Sequence, residues 1–228
     1  MKTRTILFLV FALTMSACGS SNKLAEYDFN GSTLALVEAI PPRPDVFSDD
    51  AFFVDVNRPL RTAIRAGSRA IREAESRRLR RRLDSALAIV DVSALIADQT
   101  LDRSSLMLRS RAVDDAYTSD YVLDLRVSDY GIVADSWTAG AEFMINARLM
   151  LIDGETGRRI WQSEITARDP VRGAVIGAGP AANNVITALI LSSLSVDEIA
   201  AALEGLAEFS ADRLANRLQR DFIRSRER

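Results

Sequence analysis

Cys18 is the one thiol in a chain of 228 residues that has no histidine. Those two counts bound the chemistry. Histidine is the commonest general base and metal ligand, so its lack removes Ser-His and Cys-His nucleophilic catalysis and most zinc sites. A single cysteine closes no disulfide within the chain and serves either as a core thiol or as a point of covalent modification. Carboxylates are plentiful, but Asp49-Asp50 and Asp114-Asp115 are adjacent pairs at expected loop or helix ends. That spacing suits caps and solvation rather than a calcium cage or a glycosidase pair. Gly177-Ala178-Gly179 has neither a Walker lysine nor a helix-opening phosphate fingerprint, so nucleotide binding is unsupported. The expectation is a chain that is not an enzyme and takes no cofactor and no metal.

What precedes Cys18 decides its context. Lys2 and Arg4 make a positive start, residues 6–13 are continuously apolar, and Ser16 and Ala17 are small, the layout of a secretory signal peptide. The apolar run is about half of the roughly 20 residues that span a bilayer as a helix, so a permanent transmembrane anchor is the weaker reading. Plain secretion after an ordinary cut, or a buried thiol, would each also account for a cysteine here. Met15-Ser16-Ala17-Cys18 resembles a bacterial lipoprotein signal, with Met15 where that family usually has Leu. The resemblance implies removal of residues 1–17 and acylation of Cys18, palmitate included, as the new amino terminus. Each buried methylene then contributes about 0.8 kcal/mol, so several acyl chains hold a protein on a membrane almost permanently. Gly19 stands where an inner-membrane retention signal would place Asp, which implies an outer-membrane anchor with the domain facing the periplasm.

Removing the leader leaves a length that buries an ordinary core without metal or disulfide. The formal charge is −2, and loss of Lys2 and Arg4 lowers it by two, to −4. No nucleic-acid partner is expected of such a balance, because phosphate neutralisation needs a basic surface. Residues 18–32 are polar and read as a flexible tether. Residues 33–168 read as an α/β domain, and 169–228 as an apolar loop and C-terminal helices packing on that domain.

The elements follow from period and punctuation. Residues 33–40 are an apolar run of strand length stopped by Pro41-Pro42-Arg43-Pro44, and residues 52–56 are a second short run. Asn57 caps, and Pro59 opens, an expected long helix towards Leu83, with Leu60, Ile64, Gly67, Ile71 and Ala74 on one stripe. At its end Arg77, Arg78, Arg80, Arg81 and Arg82 cluster. Positive charge is favoured at a helix carboxyl end, and a solvated end is preferred over a contact with anionic headgroups or an acidic partner; Arg77, Arg78 and Arg81 are nonetheless candidate interface residues. Residues 86–92 read as a buried strand, 93–99 as a short helix and 105–116 as a further helix. From Tyr121 the period becomes two: Leu123, Leu125 and Val127 alternate with Asp124, Arg126 and Ser128. After a loop at 134–140 carrying Trp137, a candidate interface anchor, Phe143, Ile145, Ala147, Leu149 and Leu151 repeat the pattern. The turn Asp153-Gly154-Glu155-Thr156-Gly157 leads into a third strand at 159–166. Residues 173–180 are too glycine-rich for a regular element. Ser195-Val196-Asp197-Glu198 has the form of a capping box, opening a closing helix with Ile199, Leu203, Leu206, Leu214, Leu218 and Phe222 on one side. The fold class is α+β, layered: an antiparallel-rich sheet packed on one side by a long amphipathic helix and a C-terminal helix, after a cleaved signal.

Val90-Asp91 at an expected strand end before a short helix, Asp120-Tyr121-Val122-Leu123 opening the meander, and the Thr156-Gly157 turn together resemble the periplasmic domain of curli-secretion-type (CsgG-like) lipoproteins and the amino-terminal domain of TolB. The likeness covers roughly residues 83–167 and the signal. It implies a membrane-tethered periplasmic module that assembles with, or regulates, other envelope proteins. The secretion channels of that family add long amphipathic strands that enter the outer membrane, and no further pair of alternating segments of about ten residues suited to a barrel occurs here. The expected role is a non-catalytic scaffold or assembly subunit, accessory or ring-forming, with self-association and membrane contact through Cys18. The alternative is a binding module for a lipophilic ligand or an activator of a periplasmic enzyme.

Overall fold

The computed structural model describes residues 22–46, 78, 81–134, 139–173 and 188–227. Cys18, Arg77, Trp137, the expected strand at 52–56, the Asn57 cap with the first part of its helix, and Gly177-Ala178-Gly179 lie outside the described residues.

Among the described residues the strands are β1 (Thr33–Ala39), β2 (Asp45–Val46), β3 (Arg111–Ala112), β4 (Tyr121–Val133), β5 (Glu142–Asp153) and β6 (Arg159–Pro170); the helices are α1 (Val92–Leu108), α2 (Ala188–Ser193) and α3 (Val196–Arg226), and residues 81–87 are helical as well. The sheet order is β3-β1-β4-β5-β6, with β2 beside β4. β4, β5 and β6 form the expected antiparallel meander, whereas β1, β2 and β3 join in parallel. β1 and β2 lie along the same edge of β4, since β1 pairs with residues up to Arg126 and β2 resumes at Gly131 and Ile132. The proline segment between them interrupts one strand line rather than ending it. Its Pro41 carbonyl accepts a 2.8 Å bond from the buried Tyr130 hydroxyl, so the interruption is fastened to the core.

Alternation makes one face of the meander apolar: Leu123, Leu125 and Val127 of β4 lie opposite Leu151, Leu149 and Ala147 of β5. Between Val127 and Asp129 the register slips by one residue. That bulge reverses the parity, so Tyr130 and Ile132 return to the buried face that strict alternation would have denied them. Both α1 and α3 cover this face, with contacts to each other and to the strands. α3 opens with the expected capping box, in which the Ser195 side chain accepts from the Glu198 amide and Glu198 accepts from the Ser195 amide. Its Ile199, Leu203, Leu206, Leu214 and Leu218 are buried as expected. The other sheet face is polar over the middle of the meander, whereas Val133 and Met144 on the same face are buried. There Arg148 meets Glu164 across the strands at 2.6 Å and Arg126 meets Asp124 along its own strand at 3.0 Å. The charges of this face thus compensate one another.

Two expected elements between residues 81 and 116 are corrected. Residues 81–87 are helical, and 88–89 turn, so there is no strand at 86–92. The Asp91 carboxylate accepts from the Ala94 amide at 3.1 Å and from the Ser93 hydroxyl at 2.8 Å, starting α1 one residue later. Those bonds hold the Asp91 carboxyl below its ordinary value, the Ala94 amide first. The two expected helices at 93–99 and 105–116 are one helix, ended at Arg109, which takes the left-handed conformation at φ 58° and donates back to Leu106 and Ser105. Residues 111–112 are then free to pair with β1 instead of continuing as helix.

Candidate functional site

The polar segment after Cys18 is not all tether. Residues 22–32 pack across the end of the sheet where β1 and β4 begin, so these residues of the flexible spacer expected over 18–32 belong to the domain instead. The Asn22 side chain bonds the Asp221 carbonyl at 3.4 Å and accepts from the Leu24 amide at 3.1 Å. The Lys23 amide donates to Ile160 of β6 at 2.9 Å. A single 3-10 turn, Leu24–Glu26, follows. Leu24 and Phe29 are completely buried, and Phe29 sits edge-on to Tyr121 at 4.7 Å and to Phe222 at 6.0 Å between ring centroids. Composition hid this, because two apolar residues five positions apart among polar ones match neither helix nor strand period.

Trp161 is the largest fully buried side chain among the described residues. Its indole N–H donates to Asp221 at 3.0 Å, while Arg217 bonds Ser163 at 2.8 Å and approaches Asp221 at 3.5 Å. With Arg213 near Asp169 at 3.6 Å, these pairs run α3 antiparallel to β6 and bring the end of α3 to the start of β6. Arg226 then closes on the Tyr27 carbonyl at 2.6 Å.

The far side of the same end is held by Asp120. Its carboxylate accepts from both the amide and the hydroxyl of Thr33, each at 2.7 Å, and its own amide donates to that hydroxyl at 2.8 Å. The amide bond first, then the hydroxyl, holds the Asp120 carboxyl below the usual carboxylate range. Gly154 donates to the Asp120 carbonyl at 2.8 Å; a Cβ there would overlap the Ser119 carbonyl oxygen, so only glycine lets the β5–β6 turn sit against the start of β4. Asp153 is lowered as well, chiefly by the Thr156 amide. Burial pushes the Tyr121 phenol above its ordinary value, and its hydroxyl donates to the Asp28 carbonyl at 3.2 Å. Asp120-Tyr121-Val122-Leu123 and the Thr156-Gly157 turn therefore stand where the sequence placed them, but Val90-Asp91 precedes a helix without ending a strand.

Of the candidate interface residues, Arg78 and Arg81 are exposed. Arg82 beside them donates to the Leu194 carbonyl at 3.0 Å, so part of the arginine cluster ties 81–87 to the end of α2. Among the described residues no group of three or more Cys, Asp or Glu side chains is placed to hold a metal ion, and no helix is long and apolar enough to cross a membrane.

The class defined by these features is a layered α+β domain, a mixed sheet packed with helices. No protein-family model and no curated protein matches the chain. Solved structures that are similar include a Xanthomonas campestris protein described as DUF330, 12% identical over 88% of this chain and 90% of that one, TM-score 0.40. A lipoprotein from Neisseria meningitidis is 25% identical over 22% of this chain and 34% of its own, TM-score 0.19. The PelC dodecamer from Paraburkholderia phytofirmans is 13% identical over 76% of this chain and 87% of that one, TM-score 0.30.

Proposed function

We propose that this chain is a lipid-anchored envelope lipoprotein, held on the outer membrane by acylated Cys18 and facing the periplasm, where it acts as a non-catalytic scaffold or assembly subunit. One observation carries the reading: the only cysteine stands directly after the small pair Ser16-Ala17 at the end of a positively started apolar leader. The packing of residues 22–32 supports it, since the chain becomes ordered domain within four residues of that cysteine. The paired charges Arg148–Glu164 and Arg126–Asp124 support a scaffold role, because a polar, charge-compensated surface can meet another protein or water without exposing a large apolar patch. Accessory or ring-forming membership of a secretion or envelope complex is the finer form of the same reading.

The test is fractionation of cells expressing the chain with Cys18 or Cys18→Ser, with the mass of the mature amino terminus measured. Acyl mass on Cys18 and loss of outer-membrane association in the variant are expected. Unchanged membrane fractionation of Cys18→Ser would refute the anchor. The mass of the detergent-extracted complex tests assembly, and a clean monomer removes the ring form of the reading.

A further inference from the structure

We propose that the end of the domain around residues 22–32 is a lipid-contacting surface, seated on the bilayer by Leu106, Tyr117 and Ile223. This rests on the acylation of Cys18 proposed above and assigns what that anchor does to the rest of the molecule.

Reach is the first argument. Asn22 is docked on Asp221, and four Cα-to-Cα steps, through Gly19, Ser20 and Ser21, lead to it from Cys18. Fully extended, they span at most ~14 Å. β4, with 13 residues, is about 40 Å long at the usual strand rise. An acyl group on Cys18 therefore holds the beginning of β4 close to the membrane, and cannot bring the other end of the strand there while the domain stands upright.

The second argument is independent of the cysteine. Among the described residues, large apolar side chains exposed to solvent are few, and three of them surround this one end. Leu106, 79% exposed, lies in the last turn of α1, next to Arg109, whose carbonyl accepts from the Gly31 amide. Ile223 lies in the last turns of α3, where Arg226 bonds the Tyr27 carbonyl. Tyr117, 99% exposed, lies two residues before Ser119, the residue against the Gly154 turn. Its loop is fixed, because Asp115 accepts from the Tyr117 amide and the Thr118 hydroxyl, each at 2.9 Å. The tyrosine ring thus stands out from a fixed turn, and tyrosine favours the headgroup level while leucine and isoleucine favour the acyl boundary beneath it. Charge is mixed at this end, with Lys23, Arg158 and Arg224 interspersed among Asp28, Asp115 and Glu155. The seat is thus apolar in origin and needs no anionic lipid.

The consequence is an orientation. The strands run along the membrane normal, the sheet faces look sideways, and the end holding Ala141 and Val171 points into the periplasm, presented to partners.

The experiment is amide hydrogen exchange on the acylated full-length mature protein in phosphatidylcholine vesicles, compared with the soluble Cys18→Ser chain. Exchange in 22–32 and 113–118 is expected to slow by roughly tenfold on vesicles, the ratio for a seated state populated about nine-tenths of the time, with 139–142 and 171–173 unchanged. Substituting Leu106, Tyr117 and Ile223 together by Ser should abolish the slowing while the protein still floats with the vesicles; Ile89→Ser with Ile190→Ser should leave it intact. Flotation with no slowing, or with equal slowing at both ends, overturns the seat and leaves the anchor standing. Failure to acylate or float instead overturns the lipoprotein reading on which it rests.

Discussion

Replacing Phe29 by Ala separates a core segment from a tether. Phe29 is 1% exposed, with Tyr121 and Phe222 rings at 4.7 and 6.0 Å. Truncating a buried Phe costs about 3–5 kcal/mol, part lost transfer energy and part cavity. Because the Tyr121 and Phe222 rings come from β4 and α3, which are already fixed by their own packing, the site cannot collapse easily and the cost belongs to the upper part of that range. With a urea slope of about 2 kcal/mol per M for a domain of this size, the unfolding midpoint should fall by roughly 2 M. The assay is equilibrium unfolding of the Cys18→Ser chain, followed by the fluorescence of buried Trp161. Glu26→Ala, exposed in the same 3-10 turn, is the control and should move the midpoint by no more than about 0.3 M, as surface changes cost within about 0.5 kcal/mol. A Phe29→Ala shift no larger than the control's would refute the packing and restore a tether reaching to Ser32.

Other perturbations probe the same end. Gly154→Ala must displace the Ser119 carbonyl and strain the bond to Asp120, so a loss of about 1–3 kcal/mol is expected in thermal or urea unfolding. Trp161→Phe removes the bond to Asp221 and some buried ring; ~2 kcal/mol is expected, or roughly 4–8 °C in midpoint for a domain of this size. Acid should destabilise the fold through carboxyls whose folded values are depressed: Asp91 by Ala94, Asp120 by Thr33, Asp153 by Thr156 and Glu198 by Ser195. Their contribution is complete above the unfolded values, about 4, and is lost as pH falls through the lower folded ones. With no histidine in the chain, melting followed by circular dichroism should be level between about pH 6 and 8 and fall below about 4, less steeply in Asp120→Asn.

Local pattern carried the meander and the last helix. Period-two alternation over Leu123, Leu125 and Val127, repeated in β5, can bury only one face, and the Asp153–Gly157 turn supplies the reversal. The Ser195–Glu198 box starts α3 by bonds within four residues. Such features are encoded next to one another and need no distant partner. The errors fell where local pattern is ambiguous. The Ala86–Val92 run is apolar and short, a composition shared by buried strands and helix segments, and the deciding contact is one carboxylate on the Ala94 amide.

By itself, then, the sequence determined the antiparallel strands and the capped closing helix. Tertiary structure decided the rest, because the deciding partners are far away in the chain. Thr33 is bonded to Asp120, Lys23 to Ile160, Tyr130 to Pro41 and Trp161 to Asp221. Leu24 and Phe29 could be seen as core only once β6, β4 and α3 supplied the walls around them. Leu106, Tyr117 and Ile223, scattered over more than a hundred residues of chain, come to one end only because both long helices finish where residues 22–32 cross the sheet.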